Sequence, residues 1–201
     1  MTIDEALRGA SAQLLDSDSA RLDAQLLLCS VLGQTRTHHF TWPDKTLWGD
    51  EEQRFAARLK RRVAGGPVAH ILGERGFWSL DLKVTADTLI PRPETELLVE
   101  AVLERLPESG GRIADLGTGS GAIALAISSE CPACEVVAVE RSEPALAVAR
   151  QNAERNGIGN VQFLHGSWFQ PLDGQRFDLI VSNPPYICAD DPHLARGDVR
   201  F

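Results

Sequence analysis

The sequence predicts a doubly wound α/β sheet preceded by a small all-α helical bundle and a β-hairpin. Three observations predict it. Apolar residues recur at helical spacing through residues 1–75, then switch to strict alternation near Phe77. Beyond residue 91, short apolar runs (Ile113–Leu116, Val136–Val139, Val161–Leu164, Phe177–Val181) alternate with helical stretches, the pattern of a parallel sheet wrapped by helices. Glycines and polar residues gather just past the carboxyl ends of those runs, where open sheets of this kind bind ligands.

The helical part reads in order. Thr2-Ile-Asp-Glu5 is a capping-box pattern opening a helix with Ile3, Leu7, Ala10 and Leu14 on one face. A second helix runs from about Ala20, with Leu22, Leu26 and Cys29 apolar, and Gly33 stops it. A short turn of helix over Thr35–Phe40 is broken at Trp42-Pro43. Asp50 is placed to cap a longer helix carrying Phe55, Leu59 and Val63, which ends at Gly65-Gly66. Pro67 starts a last short piece ending at Gly73. The basic run Arg58, Lys60, Arg61 and Arg62 lies near a helix end, where it complements the dipole as a solvated face. The second reading is a contact for an acidic or RNA-bound partner. His38, His39 and His70 read as surface or packing histidines. With no catalytic cluster, residues 1–75 are expected to be a recognition or docking module for a partner or substrate.

Residues 76–90 read as a β-hairpin linker. Trp78, Leu80, Leu82 and Val84 alternate with Ser79, Asp81, Lys83 and Thr85, with Thr88-Leu-Ile90 as the second strand. Ile90-Pro-Arg-Pro-Glu-Thr-Glu96 is a stiff link into a helix bearing Leu97, Leu98, Ala101 and Val102. Arg92 and Glu96 are either linker charges or groups that orient a substrate.

Arg112-Ile-Ala-Asp-Leu-Gly-Thr-Gly-Ser-Gly121 is a strand and a glycine-rich turn, followed by a helix over residues 122–128. The glycines, at 117, 119 and 121, let the backbone take positive φ and pass close to a ligand at a helix N-terminus. The spacing is G-x-G-x-G, not the G-x-G-x-x-G that seats a pyrophosphate, and no Lys-Ser/Thr follows as in a P-loop. Asp115 at the strand end would repel phosphate but suit an amino group or a sulfonium. Glu135-Val-Val-Ala-Val-Glu140 is a second strand ending in an acid that can accept from both hydroxyls of a ribose. Ser142 caps the next helix, Pro144–Asn156, which Gly157 stops; Val161–Leu164 is a third strand, with Gly166-Ser-Trp-Phe169 at its end.

The fourth strand runs into Asn183-Pro-Pro-Tyr186. Neither proline has an N–H, and each fixes its own φ. The carbonyls of Ser182, Asn183 and Pro184 therefore have fewer local donors, beside an amide side chain and an aromatic face. Such a turn can cradle a planar –NH2 group; the plain alternative is an ordinary Pro-Pro turn.

Composition bounds the function. The 201 residues, 43% hydrophobic and 24% charged, suit a soluble globular protein, with no apolar run long enough to span a bilayer and no signal peptide. A cytoplasmic protein without membrane attachment is expected. The net charge of −8 falls wholly on residues 81–201, since residues 1–80 hold ten acids and ten bases. That balance does not suit a long phosphate-gripping surface, so no direct nucleic-acid partner is expected. Cys131 and Cys134 lack a second pair at zinc spacing, and neither zinc nor redox use is assigned to them. No metal is expected.

Taken together, Asp115-Leu-Gly-Thr-Gly-Ser-Gly121, Glu140 and Asn183-Pro-Pro-Tyr186 resemble class I S-adenosylmethionine-dependent methyltransferases acting on an –NH2 nitrogen. Within them, Ile90–Glu96, the helical N-terminal part and Asp191–Phe201 are similar to the release factor glutamine methyltransferases, the PrmC/HemK family, over essentially the whole chain. The resemblance implies a Rossmann-like methyltransferase domain over residues 91–201. It implies S-adenosylmethionine as cofactor, S-adenosylhomocysteine as product, and N5-methylation of the glutamine in the Gly-Gly-Gln motif of peptide chain release factors.

Carried over by position, Asp115, Gly117, Thr118, Gly119, Ser120, Gly121, Glu140, Trp168 and Asn183 would bind the cofactor. Asn183, Pro184, Pro185, Tyr186, Arg92 and Glu96 would bind the substrate. Asn183, Pro184 and Tyr186 would carry the catalysis. Two departures stand out: Ser167 occupies a place usually held by Asp, and Glu140 replaces the more usual Asp. The family's sheet has three more strands than the four read here, so a fragment of a longer protein is expected. A monomer is expected. The rival readings are an adenine-N6 DNA methyltransferase, whose flipped base presents the same –NH2, a ribosomal-protein glutamine methyltransferase, and a cofactor-binding module without turnover.

Overall fold

The computed structural model describes residues 1–185. They form two compact units, Met1–Leu72 and a second that begins at Gly73.

The first unit is helical: α1 (Ile3–Gln13), α2 (Ala20–Leu32), α3 (Arg36–Thr41), α4 (Gly49–Val63) and α5 (Val68–Leu72). The capping box of α1 is complete. The Glu5 N–H donates to Thr2 Oγ1 at 3.2 Å, and the Thr2 N–H donates to Glu5 Oε2 at 2.8 Å. Ile3, Ala6 and Ala10 of α1 and Leu14 at its C-cap pack on Ala24, Leu27, Leu28 and Val31 of α2, with Phe55, Leu59 and Ile71 closing the core.

Two details differ from the sequence reading. The buried stripe of α2 is displaced from Leu22-Leu26-Cys29, and Leu22 is exposed. Three consecutive leucines, Leu26 to Leu28, leave the helical phase ambiguous, and the buried Asp23 and Gln25 help set it. At α4 the capping residue is Trp48, whose backbone N–H donates to Glu51 Oε2 at 2.8 Å. Asp50 lies inside the first turn.

The basic run is not uniformly a solvated face. Arg62 turns inward, its Nε donating to Asp23 Oδ2 at 2.8 Å, and the Asp23 carboxylate also accepts from Ser17 and Ser19, each at 2.8 Å. Arg58 donates to Ser30 Oγ and Arg61 to the His70 carbonyl. Lys60 is exposed. His39 packs in the interior, where burial lowers its pKa.

The second unit opens with an antiparallel hairpin of β1 (Glu74–Phe77) and β2 (Leu80–Lys83), Phe77 opposite Leu80. The strands thus lie earlier than the alternation suggested. Trp78 is not a strand residue but sits in the connecting turn with φ 56°, and residues 86–90 form no strand. The alternation itself was real, since Leu80, Leu82 and Val84 are buried. The partner strand, however, precedes Trp78.

A 3₁₀ turn over Pro93–Thr95 leads into α6 (Glu96–Leu103). Then come β3 (Arg112–Leu116), α7 (Ala122–Glu130), β4 (Glu135–Glu140), α8 (Glu143–Arg155), β5 (Val161–His165) and β6 (Leu179–Ser182). The four strands pair in parallel in the order β5-β4-β3-β6, giving the predicted α/β sheet.

Alternate residues serve its two faces. Ile113, Val136, Ala138 and Val181 join the hairpin, α6 and α7 in one core, while Ala114, Leu116, Val137, Val139 and Leu172 form another. Helix α7 is buried from Ala122 to Ser128, as a helix packed between layers requires. Cys131 and Cys134 are joined as a disulfide across the turn between α7 and β4, a pairing the spacing alone did not assign. Among the described residues no helix is long and apolar enough to cross a membrane.

The Asp23 cluster is the buried charge on which the helical unit depends. Asp23→Ala removes the buried acceptor shared by Arg62, Ser17 and Ser19 and costs about 3 kcal/mol of stability. The check is the denaturant midpoint, which should fall far more than it does for the exposed-pair variant Asp50→Ala.

Candidate functional site

Sheet order decides what can meet what. The chain adds β4 and β5 on one side of β3, then returns to place β6 on the other. At the end of β3, Leu116 is flanked by Val139 on one side and Ser182 on the other. The segments that follow those strands therefore emerge together at the reversal point, where sheets of this class bind ligands. Ser182 secures the junction, its Oγ donating to the Leu116 carbonyl at 2.7 Å.

The loop after β3 has all three glycines at positive φ: 77° at Gly117, 58° at Gly119 and 86° at Gly121. The N–H groups of Gly117 and Thr118 both donate to the Val139 carbonyl, at 2.8 and 3.0 Å, folding the loop over the end of β4. Its glycines serve two ends. A Cβ on Gly117 or Gly119 would meet nothing within 4 Å, so those positions face open space. One on Gly121 would come within 3.0 Å of Leu125 Cδ1 and 3.3 Å of Ala149 Cβ. Gly121 is therefore a packing glycine, and as the N-cap of α7 it offers no side chain to cover the first-turn N–H groups.

Glu140 closes β4 and braces the loop. Its Oε2 accepts from the Gly119 N–H and its Oε1 from the Ser142 N–H, each at 2.9 Å. Each oxygen keeps a further lone pair for a ligand hydroxyl. Ser142 caps α8 as the sequence suggested, accepting from the Ala145 N–H at 3.3 Å.

Asp115 is wholly buried. Its Oδ2 accepts from Thr118 Oγ1 at 2.6 Å, and its Oδ1 has no partner among the described residues. Burial pushes its pKa up to about 6 against the opposing Thr118 hydroxyl and Ala124 backbone N–H, with the nearby Glu140 charge adding to the rise. A buried carboxylate with an unused oxygen suits a ligand that brings a donor or a positive charge.

Trp168 follows β5 and Gly166-Ser167. It is 55% exposed and takes φ 52°, a region bulky side chains rarely enter and one that recurs at ligand clamps. The half-buried Asn183 follows β6, and its Nδ2 donates to Thr95 Oγ1 at 3.2 Å. In that orientation Oδ1 has no bond among the described residues. Pro184 and Pro185 are exposed. Tyr186 lies outside the described residues, as does Asp191–Phe201.

The segment before α6 divides. Arg92 is half-buried at the start of the 3₁₀ turn, its carbonyl accepting from the Thr95 N–H at 3.0 Å. Glu96 is committed to the hairpin, with Oε1 accepting from the Trp78 N–H at 2.8 Å. Thr95, between the two charged residues that drew notice, touches Asn183. Sequence reasoning passed over it and read Ser182 for its carbonyl, not its hydroxyl; the signal available was only their position inside or beside the motifs.

The Asp115 shift has a testable sign. Its folded pKa lies above the ordinary carboxylate value of 3.8, so as pH rises from about 4 through 6 the folded state loses stability relative to the unfolded one. The loss saturates at about 3 kcal/mol. Asp115→Asn lacks this ionisation. Its stability relative to wild type should improve by roughly that amount between pH 4 and 7.5, read by denaturant titration without ligand. A pH-independent difference would refute the assignment.

Comparison with known proteins gives the family. Residues 5–73 match the PrmC N-terminal domain and residues 93–195 the methyltransferase small domain. The chain is 52% identical to the release factor glutamine methyltransferase of Aliivibrio fischeri, over 98% of this chain and 71% of that protein. It is 53% identical to that of Vibrio cholerae, over 100% of this chain and 71% of the relative. Among solved structures, it is similar to a 16S rRNA methyltransferase of T. thermophilus in complex with AdoMet and guanosine. That match has 28% identity and a TM-score of 0.47, over 58% of this chain and 33% of the other. The chain belongs to the release factor glutamine methyltransferase family.

Proposed function

We propose that this chain transfers a methyl group from S-adenosylmethionine to a glutamine side chain of peptide chain release factors, at the N5 nitrogen of their Gly-Gly-Gln motif. Beside the family membership, one observation carries the reading. Asn183, at the reversal point of the sheet, has its amide nitrogen held by Thr95 and its oxygen unbonded among the described residues. An amide oxygen in that state accepts an N–H, and a glutamine amide offers two.

S-Adenosylmethionine, when bound, supplies an electrophilic methyl on a positively charged sulfur. The chain's own residues would hold it as follows. Gly117 and Gly119 leave room against the backbone, Glu140 accepts from ribose hydroxyls, Asp115 answers the positive charge, and the exposed Trp168 ring gives a purine a face to stack on. Thr118, Ser120 and Gly121 shape the loop. Ser167 sets a hydroxyl near that ring, so stacking on Trp168 carries more of the adenine contact.

For the substrate, Asn183 Oδ1 accepts one amide N–H and the Pro184 carbonyl accepts the other. Prolines 184 and 185 bring no N–H of their own to compete. Held this way, the nitrogen keeps electron density that conjugation would otherwise draw into its carbonyl. The proton leaves after transfer. Fixing both partners in one cleft supplies roughly 7–11 kcal/mol of barrier reduction. Tyr186 stacking on the target amide, Arg92 orienting the substrate and the helical unit recognising the release factor complete the proposal, with the protein acting as a monomer.

The experiment is to offer the full-length gene product labelled S-adenosylmethionine with a release factor, ribosomal proteins and adenine-containing DNA in parallel, and to map the label. Label on the Gly-Gly-Gln glutamine supports the reading; label on DNA or a ribosomal protein overturns the substrate. Asn183→Ala should lower the transfer rate about 100-fold or more while S-adenosylhomocysteine affinity, measured by calorimetry, stays within about threefold. Gly119→Val forces a branched side chain to φ 58° in the open part of the loop. It should abolish binding of the same ligand, and retained binding would remove Gly119 from the site.

A further inference from the structure

Helix α8 carries a buried polar side chain that nothing above uses. Asn152 is 0% exposed, and its amide makes three bonds to backbone. Oδ1 accepts from the Lys83 N–H at 2.6 Å, while Nδ2 donates to the Lys83 carbonyl at 3.0 Å and to the Ser120 carbonyl at 2.8 Å. The orientation is set by its partners, since turning the amide over would oppose a donor to a donor and an acceptor to two carbonyls. Two of those bonds hold the hairpin strand β2, and the third holds the glycine loop. Ala149, one turn earlier on α8, is the residue against which Gly121 packs. One face of α8 thus touches the loop by packing and by hydrogen bond.

We propose that Asn152 is a positioning residue for the cofactor site, fixing the conformation of Gly117–Gly121 through the Ser120 carbonyl and making strand β2 a structural part of that site. The proposal rests on the assignment of this loop to S-adenosylmethionine. Its logic is positional. Glu140 holds the loop at Gly119 from the β4 side, and Asn152 holds it one residue later from the α8 side. With both clamps in place the open glycines, Gly117 and Gly119, keep the shape a ligand meets. Removing the amide takes the partner from the buried Ser120 carbonyl and from two part-buried Lys83 backbone groups, and the loop relaxes on its free side.

The test compares Asn152→Ala and Asn152→Asp with wild type in the full-length protein, using S-adenosylhomocysteine as the probe. Asn152→Ala should weaken binding about tenfold and speed hydrogen exchange of the 119–122 amides. Val136→Ala, a core variant remote from the loop, should lower the melting temperature without either effect. Asn152→Asp provides the chemical check. A carboxylate facing two carbonyls repels them, but its protonated form restores one donor. Its affinity deficit relative to wild type should therefore shrink at least fivefold from pH 8 to 5.5, whereas that of Asn152→Ala stays flat. If wild type binds and both variants bind equally well at all pH values, the inference is overturned alone. If wild type itself fails to bind, the cofactor reading falls and takes the inference with it. Should the alanine variant not fold, the pH response of the aspartate variant decides.

Discussion

Everything assigned to the site hangs on the pairing of β3 with a strand on each side. Parallel strands deliver their carboxyl ends to one edge of a sheet, but neighbours drawn from one winding direction leave no gap there for a ligand. The return of the chain to place β6 beside β3 opens that gap between the glycine loop and Asn183. The Ser182 hydroxyl on the Leu116 carbonyl keeps its two sides in register. Without this reversal the same motifs would exist in sequence and never meet.

Two acids within that edge show how environment divides labour between like groups. Glu140 is half-buried with each oxygen on a backbone N–H. Asp115 is enclosed, accepts from the Thr118 hydroxyl at one oxygen, and is pushed toward neutrality. The first is a fixed acceptor and brace. The second is a group whose charge is uncomfortable until something positive arrives, which ties local instability to ligand recognition.

Much of this was legible in the residues. Strand runs bounded by turn residues marked the sheet, and the glycines at 117, 119 and 121 marked a loop that takes positive φ at each of them. The positions of Glu140 and Asn183 followed because strand ends are where such sheets bind. What stayed hidden depends on long-range packing. The run Leu26–Leu28 has no single helical phase, so the buried stripe of α2 was misplaced. Trp78 fits an alternating pattern as well as it fits a turn, and only its φ of 56° and its bond to Glu96 decide. Arg62 looks like its basic neighbours in sequence, and the contact with Asp23 that turns it inward lies 39 residues away. Thr95 and Asn152 act through partners 88 and 32 residues distant, beyond any local periodicity.

The brace at Glu140 also bears on how such chains can diverge. Its side chain reaches from the end of β4 to Gly119 in one direction and Ser142 in the other. An aspartate there is shorter by one methylene, about 1.5 Å, and cannot span both amides with the backbone as it stands. A relative with the shorter acid must draw its loop inward or surrender one of the two bonds. The length of this one side chain and the path of the loop form a correlated pair, and a substitution at either place reshapes which changes the other will tolerate.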